Sequence, residues 1–149
     1  MAVADRLKVE ALLPHRTPFL FIDQFEFLSR VDGDEPKLVA HYQVPEIAFW
    51  TPCHFPENPI MPGALEIEMA FQAGALLATL ISGKGFPVPK RLEKIDFKGF
   101  VKPGDCLTVS IKCIAQRGPV WKFDFNITNQ HGKRVCFGKF TGGKLEQQG

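Results

Sequence analysis

The sequence has 149 residues, enough for one domain with a buried core and short for two. Apolar residues make up 45% of it and charged residues 23%, an ordinary globular balance that excludes disordered and fibrous classes. The net charge of +2 is too small to indicate a nucleic-acid partner by itself.

Residues 5–13 read as a short helix halted by Pro14, and residues 1–13 lack the basic start and apolar run of a secretory signal. Residues 19–30, rich in Phe, Leu and Ile, read as a strand ended by the turn Asp32-Gly33-Asp34. Residues 37–44 read as its hairpin partner. Pro45, Pro52, Pro56, Pro59 and Pro62 then rule out a helix or central strand over residues 45–63 and predict a stiff loop.

Residues 64–82 form the one long predicted helix, rich in Ala, Leu and Met, free of proline and ended by Gly83. It is apolar on nearly every side, as a buried helix is, and at 1.5 Å per residue would be about 28 Å long. No stretch reaches the roughly 18 uninterrupted apolar residues of a membrane span, so none is expected.

After Leu92 the pattern is sheet. Leu107, Val109, Ile111 and Cys113 alternate, as do Trp121, Phe123, Phe125 and Ile127, and Val135, Phe137 and Lys139 continue weakly. Pro103-Gly104, Gly118-Pro119 and His131-Gly132 supply the turns. Two strands, one buried helix and about four antiparallel strands give an α+β arrangement, a sheet wrapped around a helix in one domain spanning residues 1–149. The fourteen Phe residues point to a core or tunnel with flat apolar walls. Cys53, Cys106, Cys113 and Cys136 form no C-x-x-C pair, and free thiols in a reducing cytoplasm are the expectation.

One segment carries chemistry: His54-Phe55-Pro56-Glu57-Asn58-Pro59-Ile60-Met61-Pro62-Gly63, continuing into Ala64-Leu65-Glu66-Ile67-Glu68-Met69-Ala70-Phe71-Gln72. It sets a histidine in a rigid loop ahead of a helix whose first N–H groups are open to a ligand. Glu68 lies in the second turn, with Gln72 one turn further on the same face. Dehydrating a 3-hydroxyacyl thioester needs a base for the C2 proton and an acid for the departing C3 hydroxyl. His54 suits the first role. Glu68, raised by an apolar setting against the pull of the helix dipole, suits the second. N–H groups near Gly63 can take the charge that grows on the thioester oxygen.

H-F-P-x-x-P-I-M-P-G followed by E-x-x-x-Q resembles the active-site segment of the β-hydroxyacyl-[acyl-carrier-protein] dehydratases of bacterial fatty-acid synthesis. Similar segments flank it, Leu13-Pro14-His15-Arg16-Thr17-Pro18-Phe19-Leu20-Phe21-Ile22-Asp23 before and Val101-Lys102-Pro103-Gly104-Asp105 after. The resemblance implies a hot-dog fold, His54 and Glu68 as catalytic residues, and Gly63, Gln72, Phe55 and Pro62 at the substrate. It implies no metal and no cofactor. It further implies an acyl carrier protein as partner, and a homodimer or trimer of dimers in which each site joins histidine from one protomer to the acid of the other.

Two positions depart from the family. Cys53 stands where its commonest branch has Gly, and Phe49-Trp50-Thr51-Pro52-Cys53-His54 is closer to the dehydratase/isomerase and polyunsaturated-lipid branches, which leaves isomerase activity open. Glu66 stands where the family is apolar. About 200° around the helix from Glu68, it is expected outside the site, as a first-turn residue favoured by the dipole. Cys53 is expected to be a small apolar filler, and His15-Arg16 chiefly a structural anchor.

Lys84, Lys90, Arg91, Lys94, Lys98 and Lys102 face only Glu93 and Asp96 in their stretch. Lys94, Asp96 and Lys98 can be the wet face of a strand alternating with Ile95 and Phe97. Alternatively Arg91, Lys94, Lys98 and Lys102 receive an acidic carrier protein. Two rival functions remain: a hot-dog thioesterase, against which His54 argues, and a non-catalytic acyl-binding module, against which the pairing of His54 with Glu68 argues.

Overall fold

The computed structural model describes residues 3–28, 35–83 and 88–143. Within them the elements run α1 (Arg6–Leu12), β1 (Gln24–Leu28), β2 (Lys37–Gln43), α2 (Gly63–Ser82), β3 (Val88–Phe97), β4 (Cys106–Arg117), β5 (Val120–Thr128) and β6 (Arg134–Gly143). The six strands make one antiparallel sheet in the order β1-β2-β4-β5-β6-β3. Among the described residues β3 lies at the far edge of the sheet and pairs with β6 alone. This is the hot-dog fold.

The inward rows of β4 and β5 are those expected from their alternation, and Val109, Ile111, Phe123, Phe125 and Ile127 are almost wholly buried. Each such side chain contributes roughly 1.5–3 kcal/mol when taken out of water. Against them lie Met69, Ala70, Ala73, Leu76 and Leu77 of α2, all fully buried. The helix comes close to the sheet at Gly74, where a Cβ would stand 2.8 Å from the Phe140 ring. It stops at Gly83, whose φ of 72° is left-handed. Helix α2 is long and apolar enough to cross a membrane, but most of its length is buried against the sheet, which makes it the core helix.

Three local expectations are corrected. The first strand begins at Gln24, not Phe19. Residues 19–23 are held instead by side chains, Gln72 pairing with the backbone of Phe19 and Phe21, and Arg6 with Thr17, Ile22 and Asp23. The turn at Asp32-Gly33-Asp34 lies outside the described residues. In β6 the inward row is Cys136, Gly138 and Phe140, and Phe137 lies under the Arg134 guanidinium, 3.5 Å from ring centroid to Cζ. A pattern read one residue off moves every side chain to the other face. Finally, β3 does not alternate through Lys94. That residue has φ 51°, and the pairing with β6 shifts between Glu93 and Asp96. Gly138 sits opposite this bulge, where a Cβ would come within 2.8 Å of the Lys94 carbonyl oxygen.

Candidate active site

The loop before α2 has no strand partner, so its polar backbone must be satisfied locally. Buried Trp50 is its anchor: its carbonyl accepts from the N–H groups of Cys53 at 3.1 Å and His54 at 2.9 Å. The His54 carbonyl accepts from Ile60 N–H at 2.8 Å, and Met61 N–H reaches the Val101 carbonyl at 2.8 Å. The five prolines thus stiffen a loop already tied at both ends. Cys53 departs from its expected filler role. It is exposed, and its thiol donates to the Trp50 carbonyl at 3.4 Å.

The His54 ring is fixed by its own loop. Nδ1 lies 2.9 Å from the Ile60 carbonyl oxygen. A carbonyl only accepts, so Nδ1 carries a proton, and in the neutral tautomer Nε2 is the nitrogen with the lone pair. The Phe55 ring stacks on the imidazole at 4.3 Å between centroids. Both residues line a cavity of about 600 Å³ with Gly63, Glu66, Phe97 and Phe100. Phe97 lies across the start of α2, where a Cβ on Gly63 would be 2.7 Å from its ring. Glycine at this position lets the Phe97 ring pack directly on the helix start. No side chain caps this end of α2, and Pro62 serves it through its carbonyl, which accepts from Leu65 N–H at 2.9 Å.

Glu68 and Glu66 separate as two residues on a helix must, but not as expected. Glu68 does not line the His54 cavity of its own chain. Its Oε2 accepts from Gln72 Nε2 at 3.0 Å and lies 3.8 Å from His15 Nε2. Gln72 has no exposed surface; its Nε2 also donates to the Phe19 carbonyl at 2.9 Å, and its Oε1 accepts Phe21 N–H at 2.8 Å. Burial pushes the Glu68 carboxyl upward and the Gln72 hydrogen bond opposes it. Burial, and then the Arg16 charge, push the His15 imidazole downward, so it meets Glu68 largely neutral. Arg16 itself is structural, donating to the carbonyls of Glu10, Leu13 and His15.

Glu66 departs from its expected place outside the site. It is 3% exposed and lines the cavity with His54. Burial pushes its carboxyl up to about 8, so the helix dipole does not decide its state. Its signal in the sequence is a carboxylate at a helix position where the family is apolar. Of the basic residues, Lys90, Arg91, Lys94, Lys98 and Lys102 are exposed, and Lys98 stands on the cavity wall. Glu93 is drawn away to Lys122 at 3.1 Å. Lys84 lies outside the described residues.

Residues 13–138 match the family model of the FabA-like domain. The chain is 40% identical over 126 residues to the 3-hydroxyacyl-[acyl-carrier-protein] dehydratase FabZ of Rhizobium etli, covering 83% of this chain and 78% of that one. It is 34% identical to the FabZ of Caldicellulosiruptor bescii over 135 residues, 89% of this chain and 92% of the relative. Among solved structures it resembles the dehydratase heterocomplex ApeI:P of Xenorhabdus doucetiae, with a TM-score of 0.72 at 15% identity over 93% of this chain and 91% of that one. It also resembles the putative thioesterase yhdA of Lactococcus lactis, with a TM-score of 0.68 at 12% identity over 87% and 95%. At such identities these two show the fold.

Proposed function

The chain belongs to the FabA-like family, and from that membership we propose that it is a 3-hydroxyacyl-[acyl-carrier-protein] dehydratase with His54 as base and Glu68 as acid. It eliminates water from a 3-hydroxyacyl thioester and leaves the trans-2-enoyl thioester. The observation that carries the assignment of roles is the hydrogen bond from His54 Nδ1 to the Ile60 carbonyl. It commits Nδ1 to the loop and turns Nε2 to the cavity and the helix start, so the neutral form of the ring would present its basic nitrogen there.

The steps follow from this placement. The acyl chain lies among Phe55, Phe97 and Phe100, exposed rings whose apolar surface it would cover. The thioester oxygen lies at the first N–H groups of α2, where the helix's partial positive charge stabilises the oxygen as C2 loses its proton. His54 Nε2 takes that proton. The C3 hydroxyl leaves as water, with a proton from a carboxyl kept neutral by burial. Glu68 supplies this proton from the partner subunit, since within one chain it points away from the His54 cavity. Gln72 holds Glu68 in place and ties it to the backbone of Phe19 and Phe21. The working unit is therefore at least a dimer.

The substrate arrives on an acyl carrier protein in the cytoplasm, and Arg91, Lys94, Lys98 and Lys102 form a basic rim for this acidic partner. The whole chain acts as one domain.

The deciding experiment follows enoyl absorbance while the protein acts on a 3-hydroxyacyl thioester, with free thiol titrated in parallel. Enoyl formation without thiol release is expected. Thiol release would make the protein a thioesterase, and binding with neither product would make it an acyl-binding module.

A further inference from the structure

The cavity beside His54 has a group that the elimination does not use. Its walls are apolar rings and side chains, yet Glu66 is built into it, 3% exposed, with Oε1 hydrogen-bonded to nothing. Among the described residues it makes no ion pair. Lys98 stands on the same cavity but is solvent-exposed. The base and the acid of the reaction are already supplied by His54 and Glu68, so a third titratable group is surplus to the chemistry at C2 and C3. It also costs stability, because a buried carboxyl with an unfilled oxygen loses its hydration and gains no partner. A plain hydrocarbon chain entering the cavity keeps Glu66 unpaired and displaces any water that could serve it. A chain carrying an oxygen at that depth removes the penalty.

We propose that Glu66 is a specificity-determining residue that hydrogen-bonds a hydroxyl or carbonyl oxygen on the acyl chain beyond C3, so that this protein prefers oxygenated acyl thioesters to plain alkyl ones. The proposal rests on the dehydratase reading for its substrate class. A neutral carboxyl donates through its hydroxyl and accepts through its carbonyl, so a ketone accepts from Glu66 and an alcohol pairs with it in either sense. Burial keeps the carboxyl in that neutral form at pH 7. Sites built around a polar partner discriminate sharply against analogues that lack it, because their own buried group is left unpaired. A single neutral hydrogen bond of this kind should give a preference of about tenfold to a hundredfold.

The test uses N-acetylcysteamine thioesters of 3-hydroxyoctanoate and of its 5-oxo, 6-oxo and 7-oxo analogues. At least one oxo substrate should exceed the plain chain in kcat/KM by about tenfold or more. Glu66→Leu should raise activity on the plain chain and lower it on the favoured oxo chain, inverting the order. Glu66→Gln, whose amide also donates and accepts, should keep the preference. Binding is read separately by calorimetry with the matching octanoyl and oxo-octanoyl thioesters, which lack the C3 hydroxyl and cannot eliminate water. If the protein binds the oxo chain selectively but dehydrates nothing, the dehydratase reading fails and this one stands. If the wild type treats the whole series alike in turnover and binding, or Glu66→Leu leaves the preference unchanged, the proposal is overturned.

Discussion

Glu66 should make the protein lose stability as pH rises through a range where most globular proteins are at their best. The carboxyl titrates near 4.5 in the unfolded chain and is pushed up to about 8 by burial in the fold. Between those values the folded state binds the extra proton, so unfolding releases it and higher pH favours unfolding. Each tenfold gain in proton affinity on folding is worth about 1.4 kcal/mol, so roughly 4–5 kcal/mol of stability present at pH 4.5 is gone by pH 8. Above that the Glu66 contribution is flat. Other groups titrate in the same window: the Glu68 carboxyl is also raised and His15 is lowered. Cys136, itself raised to about 12 by burial and by the charges of Glu66 and Asp96, stays protonated in the fold throughout. The measurement is therefore a difference. Urea unfolding of the wild type and of Glu66→Gln, at one protein concentration and at half-unit steps from pH 5 to 8.5, isolates the carboxyl. The wild-type free energy should fall towards and then below that of the variant as pH rises, the gap changing by several kcal/mol. Parallel curves would mean that water reaches Glu66 freely, and the buried, neutral carboxyl would be refuted.

The other predictions concern the reaction and its supports. His54→Ala and Glu68→Gln should each lower kcat by roughly 10²–10⁴ with the fold intact by circular dichroism, and mixing the two inactive proteins should restore activity on subunit exchange. No recovery after exchange proven by mass spectrometry would place both groups within one chain. Gln72→Leu removes the partners of Phe21 N–H, the Phe19 carbonyl and Glu68; it should cost roughly 2–4 kcal/mol in urea unfolding. Because that hydrogen bond holds the Glu68 carboxyl down, the same variant should move the pH–rate limb governed by the acid upward. Charge reversal at Arg91 and Lys98 should raise KM for a carrier-linked substrate, more at low salt than at high, and leave a small soluble thioester untouched. Equal losses on both substrates would signal damage to the fold instead.

What the sequence disclosed and what it hid divide by the range of the interactions involved. Helix α2 was legible because its composition, its lack of proline and Gly83 are all local, and the hairpin turns at Gly118 and Gly132 because their φ values of 62° and 76° favour glycine. The site segment was legible for the same reason: the loop that orients His54 closes on itself between Trp50 and Ile60. Residues 19–23 were misread because their strand-like composition was overridden by Gln72, fifty-one residues from Phe21. The inward row of β6 was misread because Val135 and Cys136 are both buried, which blurs a period of two. The bulge at Lys94 has no signature in residue types, only in the mismatch of register against β6.

Glu66 was hidden by the same logic, and under the proposed shared site its position lets one helix serve two cavities. Glu66 and Glu68 stand roughly 200° apart on α2, so no cavity can hold both. Glu66 looks into the cavity formed by its own chain's loop and the Phe97–Phe100 segment. Glu68 looks the other way, towards Gln72 and His15. In the proposed dimer the acid for His54 comes from another copy whose helix presents its Glu68 face, and β3, at the edge of the sheet among the described residues, has an unpaired side where such a copy could add. In the proposed dimer the foreign Glu68 would complete the elimination, while Glu66 is buried by its own chain alone. Removing the dimer should accordingly abolish the chemistry through Glu68 and leave the raised titration of Glu66 in place, because Glu66 is already buried within its own chain.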